Sequence, residues 1–489
     1  MLRLRKILFY LFTLIYVVCC PLLILYSLGY FFDPAQPSPI IQSGLISIAT
    51  IPKDAQIHIG DKVYSKTTPA EIRNLRQGRY AVRLALEGYQ TWQGEVPVLP
   101  GKATVLKQIL MIPENLKPKL LLADPFDTFI PIPHTTFFIL SSGKHVRDLR
   151  VYDWHEEKLK SLRALRQIVS AESKIEEILT VPKSSQMILR LKENDSIRYV
   201  LGKIENGEAS FKDLTDLMIR RPEKLVWDPR APRYLFSYYG RTLDRIDSES
   251  GTVVPHFAKD VMGFGIRDRQ VYVLKSERFL YRTNLNQDKK EVLLSDERLH
   301  RYLFDNDDAF DLYLFEDDLV FFRSSHGALI SNLLPYHFAE SGVRGLKFYK
   351  QDKQVLVWKK NRIGILSFPD RNLKESFFEK RPEIQWLYDE GEDIREAFWV
   401  YEGSHILFLD RQNVSLLEVA PYGVRRVRAL ARARQGTPVF YSEKTGQLHY
   451  LDSDSGRLHS LQVIPKEYLI DLILTEWDEL NLNGEEEAA

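Results

Sequence analysis

One recurrence constrains this chain more than any other feature. The segments Leu243-Asp244-Arg245-Ile246-Asp247-Ser248-Glu249-Ser250-Gly251 and Leu448-His449-Tyr450-Leu451-Asp452-Ser453-Asp454-Ser455-Gly456 share one pattern: a short strand closing on Asp, then a Ser-rich turn ending in Gly. Looser copies of the strand end near Asp153, Lys203, Leu285, Leu333, Phe368 and Val419, so Asp153 to Asp452 spans 299 residues, or seven steps of about 43. Further β-type runs precede them at 186–191, 234–238, 270–274, 355–358, 406–409 and 438–441. A period of roughly 40–45 residues holding about four strands is that of a β-propeller. The spacing therefore predicts an all-β region over 120–465 that closes into eight four-stranded blades, with seven as the near alternative. It also predicts that Asp247 and Asp452 occupy equivalent turns five blades apart. Two stacked β-sandwiches are the competing arrangement and fit the steady spacing less well.

The N-terminus is of another kind. Ile7 to Phe32 holds no charged side chain over 26 residues. At 1.5 Å per residue a helix of that length covers about 39 Å, enough to cross a hydrocarbon layer of about 30 Å. Arg3, Arg5 and Lys6 precede the run, while Asp33 and Pro34, Pro37 and Pro39 follow it. The positive-inside rule then predicts a transmembrane helix over 7–32, a cytoplasmic stub at 1–6, a linker at 33–43 and the bulk of the chain outside the cell membrane. A cleaved signal peptide would have a shorter apolar core and a small-residue cleavage site, for which Ser27 and Gly29 are a poor pair. The chain's two cysteines, Cys19 and Cys20, both lie in this run. They are read as buried apolar residues, with acylation as the other possibility. The rest of the chain, lacking thiols, needs no disulfide management in an oxidising compartment and has no Cys-ligated metal or catalytic Cys. A net charge of +1 gives no basic excess, so no nucleic-acid partner is expected.

Between 44 and 113 the sequence alternates apolar and polar residues, with turns at Gly60-Asp61, Gln77-Gly78, Glu87-Gly88 and Pro100-Gly101. About 70 residues of short strands suit a small β-sandwich. The order Ser47, Pro52, Ala55, Ile57, Ile59, Gly60, then Thr68-Pro69, Gly78 and Gly88-Tyr89 resembles the PEGA domain of bacterial surface proteins. The signature itself reads Pro52-Lys53-Asp54-Ala55, with Asp54 where the family has Gly. Asp tolerates such a turn better than most residues. The run Tyr26-Ser27-Leu28-Gly29-Tyr30 before this domain, and Gly88-Tyr89-x-x-Trp92 within it, extend the resemblance to single-span bacterial PEGA proteins with a propeller-like, WD-repeat-like C-terminal region. That resemblance implies a cell-envelope role in binding or architecture and brings no catalytic residues. The sequence has one Trp-Asp pair, Trp227-Asp228, placed at a strand start.

Local chemical motifs are sparse. Asp305-Asn306-Asp307-Asp308 with Asp311 looks like a calcium loop, but counting from Asp305 the sixth position is Phe310 instead of Gly, and only Glu316 at the twelfth fits. Asp452-x-Asp454-x-Gly456 repeats in Asp247-x-Glu249-x-Gly251, which reads as turn chemistry. G-x-S-x-G, H-E-x-x-H and phosphate-loop patterns do not occur. No catalytic, metal or cofactor residue is therefore assigned. Arg425, Arg426, Arg428, Arg432 and Arg434 form one basic run, read as a linker between blades and as a candidate patch for an anionic partner. The tail at 466–489 sets Leu469, Leu472, Ile473 and Leu480 near one helical face before Glu485-Glu486-Glu487. It reads as a short helix on the propeller or a docking segment.

The expectation is a non-catalytic, membrane-anchored extracytoplasmic scaffold of the bacterial envelope, presenting propeller loops to an envelope protein or cell-wall glycan. The alternative is an envelope hydrolase or lyase with its site in the propeller channel.

Overall fold

The computed structural model describes residues 2–27, 29–32, 40–132, 135–160, 162–181, 184–205, 208–277, 279–295, 309–315, 319–332, 339–349, 354–367, 383–419, 422 and 426–465. A helix spans Leu2–Ser27, so it begins earlier and ends earlier than the expected 7–32. Gly29 follows with φ +82°, a left-handed conformation that stops the chain continuing as helix. Tyr30–Phe32, expected inside the apolar span, instead pairs antiparallel with Ile40–Gln42. The Ser43 N–H and hydroxyl both donate to the Gly29 carbonyl, at 2.7 and 2.8 Å. The helix exit is thereby tied directly to the first strand of the next domain. Phe9, Tyr16, Val17 and other apolar side chains of the helix face outward. Counted over described side chains, which run unbroken in this helix only over 9–21, no helix is long and apolar enough to cross a membrane.

Residues 44–110 form two sheets. Gly44–Ile51 lies between Ala70–Leu75 and Ala103–Leu110, and a four-stranded sheet runs in the order Lys62–Thr67, Gln56–Ile59, Gly78–Ala85, Trp92–Val98. Alternate residues of both sheets, including Ile46, Ile48, Ile57, Val82, Leu84, Val96 and Leu106, meet in one core. This is the small sandwich the alternation predicted. Asp54 has φ +70°, the conformation the family's Gly would take, and Gly60 and Gly88 are also left-handed. Thr68 Oγ1 accepts the Ala55 N–H at 3.0 Å and lies 2.5 Å from the Thr50 hydroxyl, locking the turn.

The remaining strands group in fours along the chain: 128–160, 174–213, 224–258, 261–295, 310–340, 343–388 and 394–432. A last group joins Phe440–Ser442, Gln447–Leu451 and Arg457–Gln462 to Lys119–Pro125, a strand from the region's other end. Inner strands such as Gln186–Glu193 and His405–Asp410 are buried on both faces, so neighbours in sequence enter different cores, while outer strands such as Glu208–Asp213 and Val427–Arg432 are largely exposed. Ile188 packs toward the third group and Leu189 toward the first, while Leu407 faces the last group and Phe408 the sixth. Every successive pair of groups shares such a core. Leu451 and Leu458 of the last group pack on Phe138 and Leu140 of the first, which closes the circuit. A sheet sequence that closes on itself is propeller-like and leaves no long open edge. First strands lie innermost, since those of the fourth and fifth groups pair with each other in parallel (Gly263↔Phe310), and this close approach requires Gly263, where a Cβ would stand 2.5 Å from the Phe310 carbonyl oxygen.

The expected equivalence of Asp247 and Asp452 needs correction. Their turns agree locally: Asp247 Oδ1 accepts the N–H of Glu249 and Ser250, and Asp452 Oδ1 accepts those of Asp454 and Ser455. Gly251 and Gly456 close both turns with positive φ. However, Asp247 ends the third strand of its group, whereas Asp452 follows the second strand of the last. The two turns therefore sit on opposite faces of the ring. Asp153, with the same turn onto His155 and Glu156, is the true counterpart of Asp247. The match detected a turn that any antiparallel connection can use. Third strands do end at Asp153, Glu205, Asp247, Asn284, Ser331, Ser367 and Glu418, each within two residues of the expected marks. Trp227-Asp228 falls at a strand end, not a start; Trp227 is buried and donates to Ser184 Oγ at 2.8 Å. Residues 305–308, Glu316 and the tail at 466–489 lie outside the described residues, and the Asp311 carboxylate is occupied by Lys224 and Arg323.

Candidate binding site

Only Arg434 of the arginine run lies between blades, after the seventh group's last strand; Arg426 lies between that group's third and fourth strands, and Arg428 and Arg432 are on the fourth, Val427–Arg432. Arg425 lies outside the described residues; the other four point to different places. A strand advances about 3.3 Å per residue, so Arg428 and Arg432 are some 13 Å apart, at opposite ends of the sheet.

At the first end the sandwich domain packs on the ring. Trp92 Nε1 donates to both carboxylate oxygens of Glu418, at 3.0 and 3.2 Å. The Arg426 guanidinium lies 4.7 Å from the Trp92 ring centroid, on the face that favours a cation. Tyr422 packs against the sandwich core and its hydroxyl donates to the Val105 carbonyl at 3.0 Å. Ile51 and Leu110 leave the sandwich to join Val400, Leu407 and Leu416 of the ring in one core. Burial pushes the Glu418 carboxyl up, against the Trp92 hydrogen bond and the charges of Arg426 and Arg428, and pushes Arg426 down. Beneath them His405 is fully buried and its imidazole is lowered to about 4. None of these partners was legible locally, because Trp92 and Glu418 are 326 residues apart.

At the opposite face lies a cavity of about 630 Å³, lined by Lys360, Glu392, Asp393, Arg395, Arg411, Gln412, Asn413, Arg432 and Gln435. These residues come from the turn joining the second and third strands of the sixth group, the matching turn, first-strand start and fourth-strand end of the seventh, and the entry to the last. Backbone hydrogen bonds brace the walls: Ile394 N–H to Lys360, and Ala433 N–H to Gln412, at 2.8 and 2.7 Å. Asp410 accepts the N–H groups of Glu392 and Asp393, fixing the acidic pair from behind. Glu392 pairs with Arg411. Asp393 pairs with Arg344 and Arg395 at 2.7 and 3.3 Å, and the Arg344 hydrogen bond is the main reason its carboxyl is held below the usual range. Among the described residues no carboxylate pairs with Lys360 or Arg432. The nearest Arg of the run, Arg434, is spent on Asp127 at 2.6 Å. Sequence reasoning singled out Arg432 but missed its companions, which three separate sheets contribute.

On the innermost strands, Lys347 lies 3.3 Å from the Phe398 ring centroid and is lowered by burial to about 8, while burial raises Glu396. Among the described residues no cluster of three or more metal-ligating side chains occurs.

Residues 43–112 match the PEGA domain family. No curated protein matches the chain in sequence. Solved structures with similar architecture include the β-propeller domain of Cps50 (Swd1) from Myceliophteria thermophila, at 12% identity and TM-score 0.37, covering 72% of this chain and 99% of that one. The computationally designed protein Ika8 aligns at 12% identity and TM-score 0.43, over 71% and 98%. YCF48 from Cyanidioschyzon merolae aligns at 7% identity and TM-score 0.39, over 71% and 98%.

Proposed function

We propose that this chain is a non-catalytic scaffold of the bacterial cell envelope, anchored by its N-terminal helix, with an extracytoplasmic PEGA domain carrying a ring of eight blades. The observation that carries the reading is mechanical continuity. Ser43 ties the helix exit to the sandwich, and Trp92, Tyr422, Ile51 and Leu110 weld the sandwich to one face of the ring. A chain built this way holds its ring in a fixed attitude to whatever holds the helix. The uncharged run from Ile7 to Phe32, preceded by Arg3, Arg5 and Lys6, supports insertion with the N-terminus in the cytoplasm. The ring's opposite face is left to meet an envelope protein or glycan. Fractionation of bacterial cells expressing the chain tests this. The full chain should stay in the membrane pellet through alkaline carbonate and dissolve only in detergent, while a form starting at residue 30 should be released. Carbonate extraction of the full chain would refute the anchor.

The channel-enzyme alternative has its best foothold in Lys347 and Glu396. Lys347 is already satisfied by the Phe398 ring, and the Glu396 carboxylate by the Val439 N–H at 3.3 Å, which favours a structural role for both.

A further inference from the structure

We infer that the 630 Å³ cavity on the ring face opposite the PEGA domain is a binding site for a small, multiply charged oxyanion, either a phosphate ester or a polycarboxylate. This rests on reading the ring as the binding module. The charge count comes first: Lys360, Arg395, Arg411 and Arg432 stand against Glu392 and Asp393. Both carboxylates are committed, one to Arg411 and the other to Arg395 and Arg344. These pairs hold Arg395 and Arg411 in place and cancel their charge. Lys360 and Arg432 remain as cations without a carboxylate among the described residues. Arg432 has a long hydrogen bond to Gln412 Oε1, at 3.4 Å, that a ligand oxygen would readily replace.

Shape and chemistry agree with the charge. The volume is within the usual range for small-ligand sites of about 300–1,000 Å³. Gln412, Asn413 and Gln435 supply amide donors beside the two cations, suited to the ester or hydroxyl oxygens of such a ligand. Among the described residues no aromatic ring lines the cavity, so they offer a neutral sugar no stacking surface. The backbone hydrogen bonds at Lys360 and Gln412 fix the points from which these side chains reach into the cavity. The location adds a consequence: a ligand here sits at the end of the ring farthest from the anchor.

Calorimetric titration of the full chain in a nonionic detergent provides the test, using pyrophosphate for the phosphate arm, digalacturonate for the carboxylate arm and maltose as the neutral control. At least one anion should bind, with affinity falling as sodium chloride is raised, and maltose should not. The arm that binds names the source. Lys360→Gln and Arg432→Gln should each weaken binding about tenfold or more, and Arg434→Gln, outside the cavity, should not. Absence of binding by both anions at millimolar concentration, equal binding of maltose, salt-insensitive affinity, or folded Lys360→Gln and Arg432→Gln chains that bind as well as the parent would each overturn the proposal. The salt and maltose arms use the unaltered chain, so they decide even if a variant fails to fold. Failure here leaves the anchor test untouched, because membrane retention does not depend on the cavity.

Discussion

Replacing Trp92 by Phe isolates the weld between the PEGA domain and the ring. The substitution keeps an aromatic body but removes Nε1, which donates to both Glu418 oxygens. A hydrogen bond to a charged partner contributes about 1.5–3 kcal/mol, and a partly buried carboxylate left without its donor loses toward the upper end. The smaller ring also weakens the Arg426 contact, which contributes about 0.5–1 kcal/mol at a half-exposed site. Trp92→Phe should thus cost about 2–3 kcal/mol. Glu418→Gln should cost less, about 1 kcal/mol, because losing the charge also relieves the burial that pushes this carboxyl up. With Trp92 already replaced, Glu418→Gln should cost nothing or stabilise, giving a coupling of about 1–2 kcal/mol. Urea unfolding followed by far-ultraviolet circular dichroism measures all four chains of the cycle. If the two single effects add within about 0.5 kcal/mol, the contact is not energetically coupled and the weld is refuted.

Three further outcomes follow from single residues. His405 is lowered to about 4 by burial, so the folded state binds its proton more weakly than the unfolded chain does, and stability should fall as pH drops from about 6.5 toward 4; His405→Asn should flatten that limb of a pH-dependent melting series. Burial acts to raise the Asp247 carboxyl, but Arg233 and the turn N–H groups outweigh it and hold it at about 2. Its contribution is present above about pH 4 and lost on descent toward 2, and Asp247→Ala should cost about 1–2 kcal/mol at neutral pH by urea unfolding. At Asp54, φ +70° predicts that Asp54→Gly is neutral or slightly stabilising while Asp54→Val costs about 1–2 kcal/mol in the same assay.

What the sequence revealed was whatever depends on neighbours in the chain. Apolar runs such as Ile406 to Leu409 announced strands because both faces are buried and every side chain must be apolar. Asp54 announced a left-handed turn because its side chain suits one. The same locality misled at Asp452: an Asp-initiated turn says nothing about whether a second or a third strand precedes it. Long-range pairings left no local trace. In the sequence Trp92 stood out only as the end of Gly88-Tyr89-x-x-Trp92, and only the fold brings Glu418 and Arg426 to it. The arginine run looked like a single patch because five cations lie close in sequence, yet an extended strand carries Arg428 and Arg432 to opposite faces of the ring. Lys360 and Arg411 carried no signal, since their meeting depends on blade packing.

The central claim is that the ring stands outside the cytoplasm on a chain anchored by its first helix. Cys19 and Cys20 are the chain's two cysteines, so replacing both by Ser and introducing Lys444→Cys at an exposed turn of the last sheet gives one reporter thiol on the ring. A membrane-impermeant maleimide applied to intact spheroplasts should label that thiol as fully as it does after lysis. Labelling that appears only after lysis would place the ring in the cytoplasm and contradict the account.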